Sequence, residues 1–135
     1  MRDLGGAAGR AVRWAVTAGC LAVSACGPSG GDPAARHAAA LTGGDPDRGP
    51  ARMRAYGCSS CHTIPGVPGA HSEVGPPLGG IARRMYVAGV LANTPDNLVR
   101  WIRHPTQVDP NTAMPDMGVT EQDARDIAAY LYTLR

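Results

Sequence analysis

Cys58-Ser59-Ser60-Cys61-His62 places two thiols three positions apart and an imidazole directly after the second. Three chemistries use such a spacing. A thiol–disulfide redox pair would want a preceding strand in a βαβ setting, and no strand pattern leads into Cys58. A structural zinc site would want four Cys/His ligands. Only His71 and His104 stand by to complete one, at irregular spacing. The third is covalent haem attachment. Two thiols add across the two vinyl groups of one porphyrin, and the next residue then lies beneath the ring, where an imidazole nitrogen reaches the iron.

Upstream, residues 1–25 follow the grammar of an export signal. Arg2, Arg10 and Arg13 give a charged start, an apolar run Trp14–Val23 follows, and small residues close it. The run is too short for the roughly 20 residues of a plain membrane-spanning helix. Val23-Ser24-Ala25-Cys26 resembles a bacterial lipobox, in which Cys26 becomes the lipidated first residue of the mature chain. Thr17-Ala18-Gly19-Cys20 is a weaker competitor, because Thr stands where an aliphatic residue is usual. Residues 26–46 then read as the lipidated Cys and a flexible Gly/Ala/Pro linker, with a reach of roughly 25 Å. A short helix through Arg36–Leu41 has room within it, and His37 reads as solvent-exposed. Residues 47–135 remain for the folded unit. The cysteines thereby separate: Cys20 leaves with the signal, Cys26 takes lipid, and Cys58 and Cys61 stay as a pair.

A unit of that size buries proportionally little surface. The chain as a whole has no Phe, 2 Trp and 4 Tyr, against 18 Gly and 12 Pro. A large bound group would supply missing core. All 13 basic residues are Arg. Removing the leader leaves Arg and Asp/Glu in balance, which excludes the basic footprint of a nucleic-acid binder. Arg48, Arg52, Arg54, Arg83, Arg84, Arg100 and Arg103 outnumber the acids between them, whereas five acids from Asp109 to Asp126 face Arg125 alone. Two readings of this asymmetry stand: a dipole that orients encounters, or an ordinary mixed surface.

Three helices are predicted. One runs from Asp47 to Tyr56, with Asp47 as cap and Pro50 in the first turn. A second runs from Pro95 to Arg103, capped by Thr94, with Leu98, Trp101 and Ile102 on its apolar face. The third runs from Glu121 to Leu134, with Thr120 and Asp123 in a capping-box-like arrangement. Its apolar stripe is Ala124, Ile127, Ala128, Leu131 and Leu134. Long Gly/Pro loops over 63–80 and 105–119 need a reason in a small domain, and wrapping a prosthetic group is one. No strand is predicted. Met53 and Met85 read as core fillers, and His71 and His104 as exposed or capping residues.

Four segments in order resemble the class I cytochrome c family, over about residues 45–135. They are Gly49 to Gly57 leading into the CxxCH turn, Gly75-Pro76-Pro77-Leu78, Asp96 to Pro105, and Asn111-Thr112-Ala113-Met114-Pro115, closed by a C-terminal helix with Tyr130 and Leu131. The resemblance implies an all-α cytochrome c fold, with three to four helices and long loops around one covalent haem c. It implies thioethers at Cys58 and Cys61 and iron ligation by His62 and Met114. Pro76 would accept a hydrogen bond from the other His62 nitrogen, Leu78 would pack on the porphyrin, and Trp101 would lie near the Met114 side. Thr112 would reach a propionate, and Gly49 and Tyr130 would meet where the terminal helices cross. Met117 is the rival of Met114 as ligand. Tyr86 has two readings, propionate contact or packing.

The expected function is one-electron transfer without enzymatic turnover, by a His/Met-ligated haem with no open iron position. The export signal and lipobox place it at the periplasmic face of a bacterial cytoplasmic membrane, within a respiratory chain. Expected partners are a quinol-oxidising cytochrome complex as donor and a haem-copper oxidase as acceptor. From about Tyr86 to Leu134 the chain is also similar to the cytochrome c domain of some oxidase subunit II proteins, so an electron-entry subunit of such a complex is an alternative. A haem enzyme or gas sensor with a labile sixth ligand is another, and a haem-free thiol redox module a third.

Overall fold

Pro95 sits one residue inside a helix because its fixed φ suits the first turn and its missing N–H loses nothing there. The computed structural model describes residues 31–135. The expected export signal over 1–25 and the lipid acceptor Cys26 lie outside the described residues. The helices are α1 Pro33–Thr42, α2 Gly49–Ala55, α3 Pro95–Arg103, α4 Pro105–Val108 and α5 Glu121–Thr133. Single 3-10 turns span Cys58–Ser60 and Ile81–Arg83. Helix dominates, as the all-α expectation requires. None of the described helices is long and apolar enough to cross a membrane.

The capping chemistry of α3 and α5 is as read from sequence. Thr94 Oγ1 accepts from Asn97 N, and Thr120 Oγ1 accepts from Asp123 N. The second half of the capping box is rerouted through another helix. Tyr56, just past α2, donates its hydroxyl to Asp123 Oδ2 at 2.7 Å and accepts from Thr120 N at 3.5 Å. Arg52 Nε adds an ion pair to Asp123 Oδ1 at 2.8 Å. The Tyr56 hydroxyl chiefly holds the Asp123 carboxyl below the usual carboxylate range, with the arginine charges adding to it. Asp47 does not cap α2. Arg48 holds that position, and Asp47 lies in the turn before it, where Arg48 N donates to Asp45 O and Gly49 N to Pro46 O.

Residues 33–42 correct the linker reading. Asp32 caps α1 by accepting from Ala34 N at 2.9 Å, Pro33 opens it, and Gly43 at φ 68 ends it. The helix contains the short Arg36–Leu41 stretch that the sequence allowed, but it is longer and docked, because its alanine face carries little hydropathy contrast to announce burial. Ala38 and Thr42 are buried, and α1 packs on α5 and touches α3. Small side chains permit a close approach. At Gly44 a Cβ would collide with the Arg125 carbonyl and stand 2.5 Å from Asp126 N. Arg125 Nη1 donates to Thr42 O at 3.0 Å, and Asp45 N donates to Asp126 Oδ1 at 2.9 Å. Asp126 is fully buried, and Arg48 Nε, 3.2 Å from Oδ2, balances its charge. Arg48 is half-exposed, so breaking this pair costs less than the about 3–5 kcal/mol of a fully buried one.

The helices converge on one core that includes Met53, Ile64, Ile81, Val87, Leu98, Ile102, Ile127 and Leu131. Met85 does not join it; it is 80% exposed. It stands at the foot of a hairpin that was not predicted, in which Tyr86–Val87 pairs with Leu91–Ala92. Ala88 at φ 54 and Gly89 at φ 77 occupy the centre of its turn, as a type I′ turn demands. Alanine is an unusual residue for that conformation, so the turn carried no sequence signal.

Gly49 lets α2 cross α5. A Cβ there would fall on Tyr130 Cβ and lie 2.9 Å from Asp126 O, which is the close approach expected of Gly49 and Tyr130. Gly49→Ala is therefore expected to lose about 1–3 kcal/mol, read as a lower denaturant midpoint at unchanged slope. An unchanged midpoint would contradict the crossing.

Candidate functional site

The site begins in one tight turn. Gly57 at φ 73 reverses the chain after α2, and Cys58–Ser60 forms a 3-10 turn that presents Cys58, Cys61 and His62 together. Cys61 N and His62 N both donate to Cys58 O, at 3.2 and 3.0 Å. Both thiols are free and partly buried. Burial pushes the Cys58 thiol up, so it is held as the neutral thiol at physiological pH.

The loop after His62 folds back and fixes the imidazole. Gly75 N donates to Cys61 O at 2.7 Å, and Leu78 N to Thr63 O at 2.9 Å. His62 Nδ1 lies 2.7 Å from Pro76 O. A carbonyl can only accept, so Nδ1 carries the proton and Nε2 keeps its lone pair for a metal. Gly75 is needed for this contact, since a Cβ there would stand 2.5 Å from His62 Cε1 and 2.8 Å from Nδ1.

Two residues that sequence reasoning passed over hold this loop in place. Thr63 donates its hydroxyl to Ser72 O at 3.0 Å and pairs with His71 across the loop. Arg84 Nη2 donates to Pro77 O at 2.6 Å. Position beside the CxxCH turn was the sole signal for Thr63. Arg84 carried none, because its partners are carbonyls that no side-chain pattern reveals.

Leu78 and Trp101 are both half-buried against the common core, as are Cys58, Tyr56 and Leu91. Met114 is half-buried on a separate element, the loop 109–118. No hydrogen bond joins that loop to residues 58–78 among the described residues. Thr112 Oγ1 accepts from Met114 N at 3.1 Å, which shapes the backbone at the methionine and leaves the Thr112 hydroxyl hydrogen to donate elsewhere. Met117 is 42% exposed, and its methyl lies 3.7 Å from where a Cβ on Gly57 would be. Tyr86 is exposed, as are His37 and His71. No group of three or more His, Cys, Asp or Glu forms a separate metal site among the described residues.

These residues fit a covalent haem. Two unpaired thiols flank a ring-oriented imidazole whose second nitrogen is unengaged, beside half-buried apolar side chains. Among the described residues a zinc site is not assembled, and no strand precedes the CxxC turn.

The family model described as Cytochrome c matches residues 46–135. The chain is 33% identical over 79 residues to cytochrome c oxidase subunit 2 of Alkalihalophilus pseudofirmus, covering 58% of this chain and 22% of that protein. The chain thus spans about a fifth of that relative's length. No solved structure matches significantly. Helix α1 precedes the matched region.

Gly75→Ala is expected to drive the His62 ring from the Pro76 carbonyl. The downfield NMR resonance of the hydrogen-bonded Nδ1 proton should vanish. Its persistence at the wild-type position would contradict the contact.

Proposed function

This chain belongs to the cytochrome c family, and from that premise we propose that it is a one-electron carrier with one haem c bound through Cys58 and Cys61. The family's chemistry is haem-based electron transfer. The observation that carries the reading for this chain is the 2.7 Å contact between His62 Nδ1 and Pro76 O, beside two free thiols. It leaves one imidazole nitrogen free and fixed in direction.

When bound, the haem supplies the ferric/ferrous couple. The protein's part is to hold that couple with little rearrangement. His62 is the proximal ligand, locked by Pro76 and Gly75. Met114 is the distal ligand, on a loop whose backbone is shaped by Thr112. The His/Met pair raises the reduction potential relative to other ligand sets. Leu78 and Trp101, half-buried on the core, would help keep water from the bound haem and so favour the less charged ferrous form. With His62 and Met114 both holding the iron, no position would be left for a substrate, and the chain would carry electrons without turnover.

Cys26 serves as the lipid acceptor after signal cleavage. It holds the domain on the periplasmic side of the cytoplasmic membrane and raises its effective concentration near membrane redox complexes. A quinol-oxidising cytochrome complex is the donor and a haem-copper oxidase the acceptor. The relative named as an oxidase subunit supports the second assignment, and a permanent place in such a complex is its stronger form.

Met117 stands near the CxxCH turn, so the ligand assignment is tested with both methionines. The haem-loaded wild type is expected to show a low-spin c-type spectrum indifferent to carbon monoxide. Met114→Ala should turn high-spin and bind the gas, while Met117→Ala should not. Carbon monoxide binding by the reduced wild type would overturn the carrier reading in favour of a haem enzyme or sensor. The reverse pattern between the variants would make Met117 the ligand.

A further inference from the structure

The loop that carries Met114 is stitched along its length by its own short turns. Asp109 Oδ1 accepts from Asn111 N at 2.9 Å, Thr112 Oγ1 from Met114 N at 3.1 Å, and Asp116 Oδ1 from Gly118 N at 2.9 Å. These bonds shape the loop but do not attach it to anything. Its ends are fixed by α4 and by Val119, which is buried.

Between those ends one polar side-chain contact reaches another element among the described residues. Asp116 Oδ2 lies 3.6 Å from His104 Nδ1. His104 is the junction residue of α3 and α4: its N–H donates to Arg100 O at 2.9 Å, and its carbonyl accepts from Gln107 N at 3.2 Å. The backbone on which it stands is therefore rigid. Its Nδ1 is shut off from solvent and has no hydrogen-bond partner in the protein. Arg103, the adjacent cation, is engaged by Glu121 at 3.5 Å, which leaves Asp116 to His104.

We propose that His104 is a positioning residue for the distal ligand, and that its contact with Asp116 closes the neck of the loop that presents Met114. The pair joins the residue just before α4 to one just after the methionine. It closes a segment of about a dozen residues with the ligand inside it, and so cuts the freedom that Met114 gains whenever its bond to iron opens. The methionine then stays close to its binding position and returns faster than an outside ligand can enter. The proposal rests on Met114 being the distal ligand.

Imidazole competing for the iron of the ferric, haem-loaded protein is the probe. The readout is loss of the weak red absorption band of methionine-bound ferric haem. The side chains are 36% and 43% exposed, so the effect belongs to the range of surface pairs. His104→Ala and Asp116→Asn are each expected to raise the apparent imidazole affinity by about two- to fivefold. Asp116→Asn keeps an oxygen for Gly118 N, so the local turn survives. The double variant should shift no further than either single one, because both remove the same contact. Asp116→Asn carries the test by itself if His104→Ala does not accumulate. Wild-type affinity in the variants, or effects that add in full, would overturn the proposal alone. Absence of the red band in the wild type, with a spectrum indifferent to Met114→Ala, would overturn the ligand assignment and the proposal with it.

Discussion

Gly49 carries no side chain where α2 meets α5, and that absence sets the distance between the two helices. A methyl there would occupy the position of Tyr130 Cβ. The chain runs directly from α2 through Gly57 into the Cys58–His62 turn, so the placement of the imidazole follows from this crossing. Tyr56 strengthens it from the other end, tying the exit of α2 to the start of α5 through Asp123 and Thr120. Tyr130 extends it outward, donating its hydroxyl to Pro65 O at 2.6 Å in the loop that returns to His62. One close contact between helices thus fixes both the turn that binds and the loop that orients.

The site itself has two levels of rigidity. Around His62 nearly every backbone group is engaged, by Cys58, Cys61, Thr63 and Arg84, and the ring has one orientation. The 109–118 loop is ordered from within and tied outward by few contacts. An electron carrier needs ligand geometry that changes little between oxidation states, and hydrogen bonding alone gives the His62 side that constancy. On the proposed reading, the Met114 side would depend on the ligand bond itself, with the Thr112 turn and the His104 contact in support.

Much of this was legible because the relevant signals are local. The CxxCH spacing, Thr94-Pro95 and Thr120 with Asp123 each act within one turn of backbone, and Leu98, Ile102, Ile127 and Leu131 repeat at the helical period. The Gly49–Tyr130 crossing and the Pro76 contact came from family resemblance, not from periodicity. What stayed hidden depends on contacts distant in the chain or on weak contrast. Alanine buries against α5 without a hydropathy stripe, so α1 read as a linker with at most a short helix in it. Met85 looks like core by composition but stands outside a turn that Ala88 enters against its usual preference. Thr63 and Arg84 act on carbonyls, which no sequence displays. The neck contact between His104 and Asp116 joins two residues whose types alone suggest only a cap and a solvated acid.

The central claim is that Cys58 and Cys61 hold one haem covalently. Intact-mass analysis tests it most directly, on the chain matured in cells that attach haem c, denatured and treated with a thiol-alkylating reagent. The account predicts the polypeptide mass increased by that of one haem, with neither Cys58 nor Cys61 alkylated. A polypeptide that sheds its colour on denaturation, with both thiols alkylated, would contradict it.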